Sequence, residues 1–268
     1  MINNLKILQA IKGKSLFKAI SGIENSNVHS VLQLAQAAQI TDSTYIDICA
    51  DPKIIQSVKE SCDNIVCVSI TNIDKLDEII LSGIELIELG NFDHLYKEGF
   101  YITDQEILDI TKKIRSSYPD IALCVTIPHT LTVEEQIRLA VKLERLNIDL
   151  IQTEGRIVPQ YSKKLLFNVS RAFASLTSTY VLSQVVSVPI ITASNLSELT
   201  SSMAIHYGAS GIGVSKAIMQ YSQLNEMVEK INSFKEGLSS NCYAINNISH
   251  SPIVNILTKA EDKVFYSI

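Results

Sequence analysis

The stretch Tyr45 to Pro52, YIDICADP, decides the fold. Its first residues alternate apolar and polar side chains with a period of two, as a β-strand does. Ile46 and Ile48 fall on one face, and Asp47, Cys49 and Asp51 on the other. Asp51 followed by Pro52 reads as a helix cap and a first-turn proline, so the strand passes straight into a helix. Working outward, short β-rich runs of the same kind recur along the chain: LFKAIS (16–21), IVCVSI (65–70), LIELGN (86–91), IALCVTI (121–127), LIQTEG (150–155), PIITAS (189–194) and GIGVSK (211–216). Helical periodicity separates them, as in Val28, Val31, Leu32 and Ala35, in Val133, Ile137, Ala140 and Val141, and in Tyr221, Leu224, Val228 and Ile231. Thr103-x-x-Glu106, Thr132-x-x-Glu135 and Asn195-x-x-Glu198 read as capping boxes at helix starts.

With YIDICAD these runs make eight βα units in 268 residues, which fits a closed (β/α)8 TIM barrel of the α/β class. The barrel is expected over 1–235. Residues 236–268, rich in Ser and Asn, read as a short C-terminal appendage packed on or extending from it. An open doubly wound sheet is the alternative, but Ser21-Gly22-Ile23-Glu24 offers a single glycine where a dinucleotide fingerprint needs three. The glycines Gly208, Gly211 and Gly213 cluster at the last strand instead, where small residues let a barrel close.

The balance of 23 basic and 28 acidic residues gives a net charge of −5, with the basic residues scattered, which argues against a nucleic-acid groove. No apolar run approaches membrane length, and the start MINNLKILQAIKGK lacks the pattern of a secretory signal, so a soluble protein is expected. Five cysteines form no CxxC pair. Cys49, Cys67 and Cys124 lie in strand runs and read as small buried hydrophobes in a reducing compartment.

Strand parity directs a set of mostly polar side chains into the barrel: Lys18, Asp47, Asp51, Ser69, Glu88, Thr126, Gln152 and Glu154, then Thr192, Ser194, Gly213 and Ser215. Barrel interiors are normally branched and apolar, and a buried unpaired carboxylate costs several kcal/mol. Lys18, Asp47, Glu88 and Glu154 are therefore the expected catalytic groups, with the lysine steadying an oxyanion and a carboxylate of raised pKa moving a proton. An ion-pair network filling the barrel is the plainer alternative. Asp51, Ser69, Asn91, Thr126, His129 and Gln152 are expected to touch substrate. Asp93, His94 and His129, with Asp47 or Asp51, match no specific metal spacing, so no metal is assigned. Barrels of this kind often hold phosphate between the loops after strands 7 and 8, which here supply Thr192, Ser194, Asn195, Gly213 and Ser215, with Lys216 as a nearby charge. Helix capping and barrel closure would explain the same residues without a ligand.

The segments KAISGIEN, YIDICADP, LIELGNFD, CVTIPHTL, LIQTEG, ITASNLSE and ASGIGVSKAI resemble the hypothetical chloroplast open reading frame family number twenty-three of the ycf series, found in plastids and cyanobacteria. The likeness covers about residues 14–232. More distantly the family looks like the ribulose-phosphate-binding barrels, among them sugar-phosphate epimerases and tryptophan-pathway enzymes. The resemblance implies the barrel fold and a location in the plastid stroma, and carries over onto Lys18, Asp47, Asp51, Glu88, Asn91, Asp93, His129, Gln152, Glu154, Ser194 and Gly213. It implies no particular reaction. Where phosphate-binding barrels usually have more glycine after strand 7 this chain has Ser194-Asn195, and Ser215-Lys216 replaces their glycine-serine pair after strand 8. A left-handed backbone at Asn195 would substitute for the glycine.

The sequence thus points to a small phosphorylated metabolite as partner, with three readings: an isomerase, epimerase or lyase acting on a phosphorylated carbonyl compound, a non-catalytic metabolite-sensing or adaptor barrel, and, more weakly, a flavin-phosphate oxidoreductase. No cofactor is specified, and the oligomeric state is left open, a homo-oligomer included.

Overall fold

A computed structural model describes residues 1–90, 92, 95, 96, 98–155 and 165–239. Each strand run forms, most of them trimmed at an end where a loop begins. In chain order the elements are α1 (Leu5–Lys12), β1 (Leu16–Ile20), α2 (Val28–Ile40), β2 (Tyr45–Cys49), α3 (Pro52–Ser61), β3 (Val66–Ile70), α4 (Leu76–Leu81) and β4 (Leu86–Leu89). Then follow α5 (Asp104–Ser117), β5 (Ala122–Ile127), α6 (Val133–Arg145), β6 (Leu150–Thr153), α7 (Leu165–Ser183), β7 (Ile190–Ala193), α8 (Glu198–His206), β8 (Gly211–Val214), α9 (Lys216–Met219) and α10 (Leu224–Ser239). All strand pairs are parallel in the order β1 to β8, and β8 closes on β1 through Leu16 opposite Gly211 and Lys18 opposite Gly213. The open-sheet alternative is thereby excluded. α10 ends at Ser239, and the remainder of the expected appendage, 240–268, lies outside the described residues.

The capping boxes at Thr103/Glu106 and Thr132/Glu135 are both closed, and the Asp51 carboxylate accepts from the amides of Lys53 and Ile54 ahead of Pro52. Side-chain parity sorts the strand residues into two apolar clusters. Ile46, Ile48, Val66, Val68 and Ile87 face the helix layer. Leu16, Tyr45, Cys67, Leu86, Leu150 and Ile191 point to the axis at the N-terminal end of the barrel. Helix α1, which the strand alternation does not foretell, adds Ile7 to that inner layer and so plugs the end opposite the strand termini.

Three expectations are corrected. On β7 the inward residues are Ile191 and Ala193, because Ile191 pairs with the inward Gln152 and Gly211. Thr192 therefore faces the helices, where its hydroxyl lies 2.6 Å from that of Thr179 on α7. Asp51 does not enter the barrel, since β2 stops at Cys49 and the side chain is committed to capping α3. Finally, α8 is capped by a Ser197/Thr200 box and not by Asn195.

Barrel closure predicts a specific sensitivity. A Cβ at Gly211 would overlap the Leu16 carbonyl oxygen of the neighbouring strand, backbone that cannot move aside. Gly211→Ala is expected to cost about 3 kcal/mol, the upper part of the range for overpacking a filled interior. Urea denaturation monitored by far-UV circular dichroism measures it.

Candidate functional site

Two residues above the apolar layer, the inward position on each of β1 to β6 is polar: Lys18, Asp47, Ser69, Glu88, Thr126 and Gln152. Each is at most 2% exposed. Lys18 Nζ is paired with Glu88 Oε2, lies 3.0 Å from Asp47 Oδ2, and donates to Gln152 Oε1 at 3.0 Å. Ser69 donates to the Asp47 carboxylate at 2.7 Å. Gln152 Nε2 donates to Glu88 Oε1 at 2.6 Å and contacts Thr126 Oγ1 at 3.3 Å. The network thus brings together three of the four expected catalytic residues.

Burial by itself draws the Lys18 ammonium toward neutrality, but the Asp47 and Glu88 carboxylates outweigh it and hold the pKa above the ordinary lysine value. Burial pushes Glu88 above the usual carboxylate range; Lys18 opposes that shift and Asp47 adds to it. Desolvation thus outweighs the lysine and raises the proton affinity of Glu88. Burial also pushes the Cys67 and Cys124 thiols well above their usual values, which leaves them inert as nucleophiles.

Glu154, the fourth residue, stands apart at the C-terminal end of β6. Its Oε1 accepts from the Tyr96 hydroxyl at 2.8 Å, the His129 amide at 3.0 Å and His129 Nδ1 at 3.0 Å. A carboxylate only accepts, so Nδ1 carries the ring proton. The Tyr96 ring meets His129 edge-on at 5.1 Å. Glu154 and Gln152 line a cleft of about 910 Å³ over the ends of β6, β7, β8 and β1. Ser194, Asn195, Gly213, Ser215 and Lys216 line it too, whereas Lys18, Asp47 and Glu88 do not. Ser194 and Asn195 both take left-handed backbone, φ 74° and 56°, the conformation that glycine would otherwise supply. A smaller cavity of about 360 Å³ adjoins the loops after β2 and β3, and Asp51 and Ser69 line it.

Asn91, Asp93 and His94 lie outside the described residues. Among the described residues, no group of three or more His, Cys, Asp or Glu side chains is placed to hold a metal ion, and no helix is long and apolar enough to cross a membrane. Sequence reasoning missed Tyr96, which follows β4 in a segment without periodicity, and Gly90, where a Cβ would overlap the Thr126 hydroxyl. It also missed Lys230 on α10, paired with Glu198 at the edge of the cleft.

A closed ring of parallel strands with its cleft at their C-terminal ends defines a TIM-barrel protein. The chain belongs to the family described as "Protein of unknown function (DUF561)", whose model matches residues 1–244. The ycf23 protein of Antithamnion sp. is 36% identical over 267 residues, covering 95% of this chain and 96% of the relative. That of Cyanophora paradoxa is 40% identical over 230 residues, 85% of this chain and 95% of its own. Similar solved structures include thiamine phosphate pyrophosphorylase from Pyrococcus furiosus, at 15% identity and a TM-score of 0.56 over 88% of this chain and 98% of that one. 3-Hexulose-6-phosphate synthase matches at 14% and 0.59 over 83% and 99%. (S)-3-O-geranylgeranylglyceryl phosphate synthase from Thermoplasma acidophilum, solved with its substrate sn-glycerol-1-phosphate, matches at 10% and 0.60 over 89% and 100%. At these identities the structural likeness speaks for the fold.

The buried network makes its own prediction. Lys18→Met leaves two carboxylates without their cation and is expected to cost about 3–5 kcal/mol, while Lys18→Met with Glu88→Gln costs less than the sum of the single changes. Because folding raises the lysine pKa, its contribution is complete below the unfolded value of about 10.4 and fades as pH rises beyond it. The gap between wild type and Lys18→Met in urea melts should therefore narrow above that pH.

Proposed function

We propose that this chain binds a small phosphorylated metabolite in the cleft and moves a proton on it, as an isomerase, epimerase or lyase does. One observation carries the reading: Ser194-Asn195 and Gly213-Ser215, the segments expected to hold phosphate, line the same cleft as Glu154 and Gln152. The phosphate would lie against the left-handed Ser194-Asn195 turn and the Gly213-Ser215 loop, where hydroxyls and backbone amides offer donors and Lys216 adds charge. Glu154, fixed through Oε1, would be the proton carrier. Lys18 and Glu88 act through Gln152, whose amide they lock in place, because neither lines the cleft. Solved barrels of this shape that are named for phosphorylated compounds support the ligand class, and the ycf designation of the relatives supports a place in the plastid stroma.

The complete burial of Lys18 and Glu88 favours a second reading, a sensing barrel that binds the same ligand without turning it over. Calorimetric titration with inorganic phosphate and sugar phosphates separates the cases. Both readings require binding that Ser194→Asp combined with Ser215→Asp abolishes, and unchanged binding in that double variant would rule both out. The catalytic reading further requires that Glu154→Gln stay folded and bind phosphate, yet lose about 100-fold or more in turnover. A wild type that binds sugar phosphates without altering them over hours, followed by proton NMR, leaves the sensor.

A further inference from the structure

The cleft is chemically lopsided. Its β7–β8 side carries the Ser215 hydroxyl and the Lys216 ammonium, with the Ser194 hydroxyl turned to the Gly155 carbonyl and the Glu198 carboxylate paired with Lys230. Its floor presents acceptors. Among the described residues, the donors that reach Glu154 all converge on Oε1, and Oε2 is the oxygen left for the cleft that the residue lines. Gln152 has its amide hydrogens directed to Glu88 and Thr126, which leaves only its carbonyl oxygen to offer. That oxygen takes one hydrogen bond from Lys18 and keeps a second lone pair. A Cβ at position 213 would stand 3.4 Å from it, so the glycine keeps the cleft side of the carbonyl uncrowded.

Resting on the phosphate reading above, we propose that the end of the ligand remote from phosphate is a hydrogen-bond donor, a chain of hydroxyl groups, and not a carboxylate. A ligand carboxylate would meet Glu154 Oε2 and the Gln152 carbonyl, both acceptors, and would bring like charges together in a partly desolvated site. Hydroxyls satisfy both acceptors. The arrangement cannot invert itself: the Gln152 amide is held in one orientation by Lys18 on its oxygen and Glu88 on its nitrogen. Tyr96 and His129 hold the Glu154 carboxylate in the same fixed sense.

A matched pair of ligands tests the claim: erythritol 4-phosphate and 4-phosphoerythronate, which differ in carrying a terminal hydroxymethyl or carboxylate group. Calorimetry on the full chain compares both with inorganic phosphate. The expected result is that erythritol 4-phosphate binds at least about ten-fold more tightly than either of the others, the effect of one hydrogen bond to a charged group. Glu154→Gln provides a second arm. The Tyr96 and His129 donors oblige the new amide to place its oxygen toward them and its NH2 toward the cleft. The variant should therefore lose the ten-fold preference and gain relative affinity for 4-phosphoerythronate. Equal affinity for the matched pair, or tighter binding of the carboxylate by wild type, overturns the proposal while leaving the phosphate site intact. Failure of all three ligands to bind removes the phosphate reading, and this inference with it.

Discussion

A single ammonium group, Lys18 Nζ, holds the interior of this barrel together. It stands between Asp47 and Glu88, carboxylates from two other strands, with Gln152 from a fourth completing its shell. Two carboxylates buried side by side would repel each other and force one to protonate, and the cation makes their burial tolerable. The surrounding sequence serves that arrangement. An apolar layer that includes Ile7 of α1 lies below the pair, while Ser69 and Thr126 use up lone pairs that the lysine does not reach. Gly90 clears the room in which Thr126 sits against Glu88.

The same layer explains where the cleft lies. On β1 to β6 the second inward position carries a long or polar side chain, but on β7 and β8 it is Ala193 and Gly213. Side chains therefore fill the barrel mouth on one side and leave it hollow on the other. The cavity opens over β6 to β8 and β1, and the polar layer becomes part of its floor through Gln152 alone among the network's members near the axis. An amide is suited to that position. It can be fixed from below by a cation and an anion together and still show a neutral, directional oxygen above.

Much of this was legible in the sequence because a buried parallel strand leaves a strong mark, and period-two parity correctly sends Lys18, Asp47, Ser69, Glu88, Thr126 and Gln152 inward. Parity fails where its premise fails. PIITAS has two isoleucines side by side, so nothing local says which faces the axis; the polar threonine was assigned inward, yet Thr192 finds its partner in Thr179 of α7, a contact 13 residues away in sequence. Asp51 and Ser194 lie beyond strand ends, where the backbone turns and alternation loses meaning. Tyr96 reaches Glu154 across 58 residues, a contact between the segments after β4 and β6 that no short-range pattern records.

The division of the polar groups into a sealed tier and an open one constrains the chemistry. A raised pKa on a carboxyl group often marks an acid or base at work, and Glu88 has one. Yet Glu88 is fully buried and its oxygens are turned to Lys18, Gln152 and Thr126, so a proton leaving it would have to cross those partners before meeting a ligand. Its shift follows from burial, which Lys18 offsets only in part. Glu154 has the opposite standing: among the described residues its three hydrogen bonds all fall on Oε1, and the residue lines the cleft. A group that must pick up and release a proton needs a fixed position and access to the ligand, and on the proposed reading the end of β6 meets both conditions where the buried ion pair, which does not line the cleft, meets only the first.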